Sequence, residues 1–187
     1  MDDAYRARVA AIGRELGVPA NYAERMRLHN EAHGTQEAGK DIHGRVLRLA
    51  PQAAEAWRAM RDAAAKDHVV LQTVSGFRSV RYQQGLINAK LARGQRIGDI
   101  LRVNTAPGYS EHHTGCALDL ATPDAPVLEP AFADSAAYRW LRENAGRFGF
   151  SLSYPEGNTD GIDFEPWHWR YAPPTTAAVQ PQPPPQP

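Results

Sequence analysis

Two short stretches of the chain carry side chains able to hold a metal ion and move a proton. In residues 110–119, SEHHTGCALD, a histidine at His112 precedes an aspartate at Asp119. In residues 165–171, EPWHWRY, Glu165 stands three positions before His168. The segment 115–120, GCALDL, reads as a strand, so Ala117 and Asp119 share one face while Cys116, Leu118 and Leu120 share the other. An aspartate between two leucines is at least partly buried and needs an arginine, a set of donors or a metal as partner. Gly115 allows a close turn from the preceding loop into the strand.

Pro166 disfavours a helix in the second stretch and biases Glu165 to an extended backbone. On a strand, Trp167, Trp169 and Tyr171 would face one side, His168 and Arg170 the other. Strict alternation then separates Glu165 from His168, and their cooperation requires a bend or bulge at Pro166. Together the stretches offer two imidazoles and a carboxylate, with a second carboxylate beside the last imidazole. Catalytic zinc uses three protein ligands and one open position. It lowers the pKa of bound water to about 7, and a neighbouring carboxylate can take the proton. His112, Asp119 and His168 are the candidate ligands for one zinc per chain, and Glu165 is the candidate base. Each piece alone is a weak signal, since a lone histidine near a strand is more often structural. Glu111 and Glu165 also suggest a glycosidase pair, a reading that leaves the histidines unused.

The elements that must position these groups are helices mixed with short strands. Tyr5, Val9, Ile12 and Leu16 recur at helical spacing, and Gly17 can end that helix. Residues 18–44 are irregular and polar, and 46–49 read as a short strand. Pro51 opens a helix with Ala54, Trp57, Met60 and Ala64 on one stripe. The β-branched run 69–74 reads as a buried strand. A helix through Tyr82, Leu86, Ile87 and Leu91 stops near Gly94, and 103–114 form a loop. Ser135 caps a helix carrying Tyr138, Leu141 and Phe148, and strands follow at 150–154 and 167–171. Without strand–helix alternation or a phosphate-binding glycine loop, the expected class is α+β, a small, largely antiparallel sheet with flanking helices. The expected organisation is an N-terminal extension over 1–44, a catalytic domain over 45–172 and a disordered Pro/Gln-rich tail over 173–187.

Bulk properties narrow the function classes. Twenty-one basic residues balance twenty-one acidic ones among 187, so no net field draws the chain to nucleic acid or anionic lipid. The single cysteine, Cys116, excludes an intrachain disulfide. No stretch is apolar enough to span a bilayer, and the first residues carry charges where a secretory leader needs an apolar run. As given, the chain is expected in the cytoplasm, or in the cell envelope if a leader was removed.

Three separated blocks, SGFRSVRYQ (75–83), PGYSEHHTGCALD (107–119) and EPWHWRY (165–171), resemble the VanY-type D-alanyl-D-alanine carboxypeptidases. These belong to the metallopeptidase group that includes lysostaphin and the hedgehog signalling domain. Ser110, His112, Gly115, Ala117 and Asp119 meet the SxHxxGxAxD pattern, and Glu165, Trp167 and His168 meet ExWH. The resemblance implies zinc on His112, Asp119 and His168, and Glu165 activating water. It implies Arg78 holding the scissile carbonyl or developing oxyanion, with Ser75, Gln83 and Ser110 as substrate or supporting contacts. The implied substrate is a peptidoglycan stem peptide or muropeptide, cut at a terminal D-alanine. An L,D-carboxypeptidase, an endopeptidase (lysin) and a non-catalytic zinc-bearing binding module are the alternatives, and Glu165 with Arg78 speaks against the last. Outside the metal set, His113 is expected as a loop or pocket-rim residue and His29, His33, His43 and His68 on the surface. Cys116 is expected as a small buried hydrophobe, and Trp167 and Trp169 as core. Residues 1–44 match nothing in the resemblance.

Overall fold

A computed structural model describes residues 2–173. The tail expectation falls almost wholly outside them. Helix α1 (Asp3–Glu15) starts at Asp2, whose carboxylate accepts the Tyr5 N–H at 2.7 Å, an N-cap. One turn, α2 (Tyr22–Arg25), follows. Strands β1 (Gln36–Lys40) and β2 (Val46–Leu49) form an antiparallel hairpin with a bulge near Gly39. Pro51 opens α3 (Pro51–Lys66), which buries Ala54, Trp57, Met60 and Ala64 as the stripe requires.

The second half builds the sheet that carries the site. β3 (Gln72–Ser75), α4 (Val80–Leu91) and α5 (Ile97–Val103) lead into a 3₁₀ turn at Glu111–Thr114 and then β4 (Ala117–Ala121). Ser135 caps α6 (Ala136–Asn144), its hydroxyl accepting the Tyr138 N–H, before β5 (Phe150–Leu152) and β6 (His168–Tyr171). The sheet order is β3-β4-β6-β5, antiparallel throughout. The α+β class is therefore as expected, although α5 and β1 had no strong sequence signal. The strands expected over 69–74 and 150–154 are shorter or displaced by a few residues.

Alternation on β4 divides the sheet chemically. Leu118 and Leu120 enter the main core with Trp57, Met60, Phe132, Leu141 and Trp169. Asp119, between them, faces the other way. β6 follows the same rule, since Leu118 pairs with Trp169, and Asp119 pairs with His168.

The N-terminal segment is part of the packing of the site. Tyr22 Oη accepts the Ala106 N–H, His29 N–H donates to the Gly108 carbonyl, and Ala32 N–H donates to the His113 carbonyl. Glu31 accepts the Val80 N–H and so caps α4 from a distant segment. His29 is accordingly buried, not on the surface as expected; the backbone bond to Gly108 holds it under the loop. His33, His43 and His68 are exposed, as expected.

Candidate metal and active site

The ring of His112 is oriented by its Nδ1, which lies 2.6 Å from the Gly76 carbonyl. A carbonyl can only accept, so Nδ1 carries the hydrogen and Nε2 presents a lone pair. That Nε2 is buried, has no hydrogen-bond partner and stands 3.2 Å from Asp119 Oδ2. His168 has the mirror arrangement: Nε2 lies 3.0 Å from Glu111 Oε2 and Nδ1 lies 3.0 Å from Asp119 Oδ1. With Nε2–H given to Glu111, Nδ1 also presents a lone pair to Asp119. Three acceptor atoms thus converge, and one donor atom from each of His112, Asp119 and His168 lies within 4.8 Å of the others. Such a cluster is stable only with positive charge at its centre, either a proton or a metal ion.

The titration of these groups follows the same logic. Burial lowers His112 to about 4, assisted by the Arg78 charge. Burial works against the charged form of His168 too, but the hydrogen bonds to Asp119 and Glu111 outweigh it and push the imidazole up to about 10. Asp119 is held well below the carboxylate range: burial opposes ionisation, and His112, His168 and Arg78 overcome it. In the metal-free protein the central charge is therefore a proton on His168.

Glu165 reaches the cluster through a turn. Its carbonyl accepts the His168 N–H at 3.0 Å, so residues 165–168 bend sharply before β6 begins. This meets the requirement for a bend at Pro166 and brings Glu165 Oε2 to 3.8 Å from His168 Nδ1. Burial, with help from Asp119, raises the Glu165 carboxyl to about 7. A carboxyl poised there can alternate between accepting and returning a proton near neutrality.

Arg78 lies between β3 and α4, its guanidinium Nη2 3.7 Å from Asp119 Oδ2. Its Nε is buried with no hydrogen-bond partner among the described residues. A cavity of about 420 Å³ opens over these groups and is lined by Arg78, Ser110, His112, Asp119, Glu165 and His168, among others. Ser110 thus joins the site. Gln83 and Ser75 do not line the cavity. Gln83 is fully buried and donates to the Thr105 carbonyl, tying α4 to the loop before His112. Ser75 pairs in register with Asp119 but opens onto a separate groove beside Asp41, Arg45 and Tyr82.

Three expectations change. His113 is an internal brace and not a rim residue: its Nδ1–H donates to the Arg78 carbonyl at 2.6 Å, and its Nε2 accepts the Gly108 N–H. Trp167 precedes β6, and its half-buried ring lines the cavity as well as packing on the core; Trp169 is core. Glu111, seen in sequence only as half of a carboxylate pair, belongs to the support of the cluster. It accepts from Ser153 Oγ at 2.6 Å, and Arg170 Nε lies 3.5 Å away. These contacts and His168 overcome burial and hold Glu111 down at about 2. The residue is thus a fixed anion behind His168, the arrangement in which a carboxylate orients a metal-binding imidazole.

Comparison with known proteins gives the same answer from outside the chain. A D-alanyl-D-alanine carboxypeptidase of Enterococcus faecalis (strain ATCC 700802 / V583) is 33% identical over 171 residues, covering 86% of this chain and 56% of that protein. The chain spans less than two thirds of the length of the curated relatives it first matches. Among solved structures, VanYB in complex with D-alanine-D-alanine aligns with a TM-score of 0.59 at 27% identity, covering 82% of this chain and 80% of that one. A VanY D,D-pentapeptidase variant in complex with Zn(II) aligns at 0.55 and 29%, covering 82% and 81%. The LD-carboxypeptidase LdcB aligns at 0.62 and 29%, covering 82% and 68%. The family model for VanY, D-alanyl-D-alanine carboxypeptidase, matches residues 46–174, a span that holds Arg78, the three converging ligand candidates and Glu165. With most of its length inside that match, the chain belongs to the VanY D-alanyl-D-alanine carboxypeptidase family.

Proposed function

We propose that this protein is a zinc-dependent carboxypeptidase that removes the terminal D-alanine from peptidoglycan stem peptides. The observation that carries the reading is the pair of imidazoles locked by Gly76 and Glu111 so that both lone pairs meet the Asp119 carboxylate. Two histidines and an aspartate fit zinc, and three protein ligands leave a position for water or substrate. His112 Nε2, Asp119 and His168 Nδ1 would hold the ion. Zinc bound there acidifies water and polarises a carbonyl.

The other residues divide the remaining work. Glu165 accepts the proton of the attacking water and then delivers it to the departing amine of D-alanine. Arg78, with its unpartnered Nε and planar cationic head, receives negative charge as it develops on the carbonyl oxygen. Ser110 lines the same cavity and can offer a hydroxyl to the peptide. The paired presence of Glu165 and Arg78 favours catalysis over a binding module, because a structural zinc site needs neither.

Mass analysis of products from defined pentapeptide and tetrapeptide stems tests the reading. Zinc-loaded protein should release one D-alanine from the pentapeptide, lose the activity on chelation and regain it with zinc. Release from the tetrapeptide alone would make it an L,D-carboxypeptidase, and internal cleavage an endopeptidase. Glu165→Gln should keep zinc and fold and lose roughly 10²–10⁴ in kcat. Near-normal turnover in that variant would remove the assigned base.

A further inference from the structure

Among the described residues, the cavity lining holds one cation that enters no ion pair, Lys90. Lys90 stands in the last turn of α4, and its half-buried side chain lines the cavity together with Arg78, Asn104, Thr105 and Ser110. The lining also includes Glu129, Asp163 and the apolar groups of Leu128, Pro130, Ile162 and Phe164. Asp163 is already paired with Arg102 at 2.9 Å, and Asp119 is committed to the histidines and Arg78. Among the described residues Lys90 has no carboxylate partner, although it lies near enough to Glu165 and Arg78 to feel both charges. Burial lowers its pKa, with Arg93 and Arg78 adding to the effect and Glu165 opposing it.

A solvated lysine at a helix C-terminus would be explained by the helix dipole alone. This one is partly withdrawn from water and lines the same cavity as the groups that would act on the peptide bond. We infer that Lys90 receives the C-terminal carboxylate of the bound peptide and is the residue that makes the site select a free chain end. This rests on the carboxypeptidase reading and adds a specificity residue to it. Cleavage of the last peptide bond places the terminal carboxylate one residue beyond the scissile carbonyl. The receiving cation must therefore sit close to Arg78 but separate from it. A chain that continued past this point would present an uncharged amide to Lys90 and leave its charge unanswered.

The test uses binding as well as turnover. Zinc-loaded Glu165→Gln protein is titrated with an N-acylated peptide ending in D-alanyl-D-alanine and with its C-terminal amide, with lysine, methionine or arginine at position 90. Hydrolysis of the same pair is followed with Glu165 restored. A charge-assisted hydrogen bond predicts that the acid binds about 10–100-fold more tightly than the amide. In Lys90→Met this ratio should fall to about threefold or less, and Lys90→Arg should keep part of it. A folded, zinc-replete Lys90→Met protein that discriminates as strongly as its parent would overturn the inference and leave the carboxypeptidase reading intact. If neither peptide binds to any of the zinc-loaded proteins, the substrate reading itself fails, and this inference with it.

Discussion

Glu111 and His168 belong to two separate sequence motifs yet meet at 3.0 Å, carboxylate to Nε2, while the other nitrogen of the same ring faces Asp119. Removing the anion should loosen the imidazole and weaken its basicity as a ligand. Glu111→Ala is expected to lower zinc affinity by about 10–100-fold, and Glu111→Gln by less, because its amide oxygen can still accept from the ring. Competition against a chelator reads this directly. Unchanged affinity in both variants would mean that the ring needs no support from Glu111.

Arg78 can be tested apart from the metal. Arg78→Ala should keep zinc and lose about 10²–10³ in kcat/KM, the scale of one oxyanion donor, with partial recovery in Arg78→Lys. The 3.7 Å approach to Asp119 offers a structural alternative. Under that alternative both variants lose thermal stability or zinc, and the folded, metal-loaded fraction keeps its specific activity.

Metal binding should be strongly pH-dependent, and the direction follows from the charges. In the metal-free protein His168 is protonated up to about 10, above the ordinary 6.5. Zinc needs the neutral ring, so binding releases that proton, and affinity should rise about tenfold per pH unit between roughly pH 7 and 9. His112, neutral above about 4, and the ionised Asp119 add nothing there. Below about 7 the slope should steepen, because the metal also drives the proton from Glu165. Calorimetry in buffers of different ionisation enthalpy counts the protons, and a flat profile from pH 7 to 9 would contradict the account.

The N-terminal helix should matter to the site although it lies outside the family match. Gly108 has φ +89°, and a Cβ there would come within 2.5–2.6 Å of the Val9 methyls. Gly108→Ala should cost about 1–3 kcal/mol through clash and backbone strain. Adding Val9→Ala should return only the clash component. Thermal unfolding of the two single variants and the double variant separates the terms; additive losses would show that Val9 and Gly108 do not press on each other.

Much of the site was legible because its chemistry is written in short motifs. The alternation around Leu118, Asp119 and Leu120 gave the right face for the aspartate, and the conflict between Glu165 and His168 correctly demanded a bend at Pro166. What stayed hidden depends on pairs far apart in sequence. Ser153 and Arg170 meet Glu111 only after the sheet forms, and nothing local marks that carboxylate as a support. His29 and His113 looked peripheral because loop residues have no periodicity that signals burial. Their burial goes with backbone bonds between the N-terminal segment and the site loop and, for His113, with ring contacts to Arg78 and Gly108. Gln83 was expected as a substrate or supporting contact, and its contact is with the carbonyl of Thr105, a residue that lines the cavity.

Asp119 pairs across β4 with Ser75 on one side and His168 on the other. The candidate ligand set therefore draws on a 3₁₀ turn and two strands, β4 and β6, with β3 flanking Asp119, and no local fragment can assemble it early in folding. Contacts of such separation form slowly, since chain closure must precede any reward. The ion can be captured with full affinity only by molecules that have already completed this pairing. Zinc then acts as a latch on the finished topology: it slows escape from the native state and raises stability with its free concentration, while leaving the search for that state to the apolar face of the same strands.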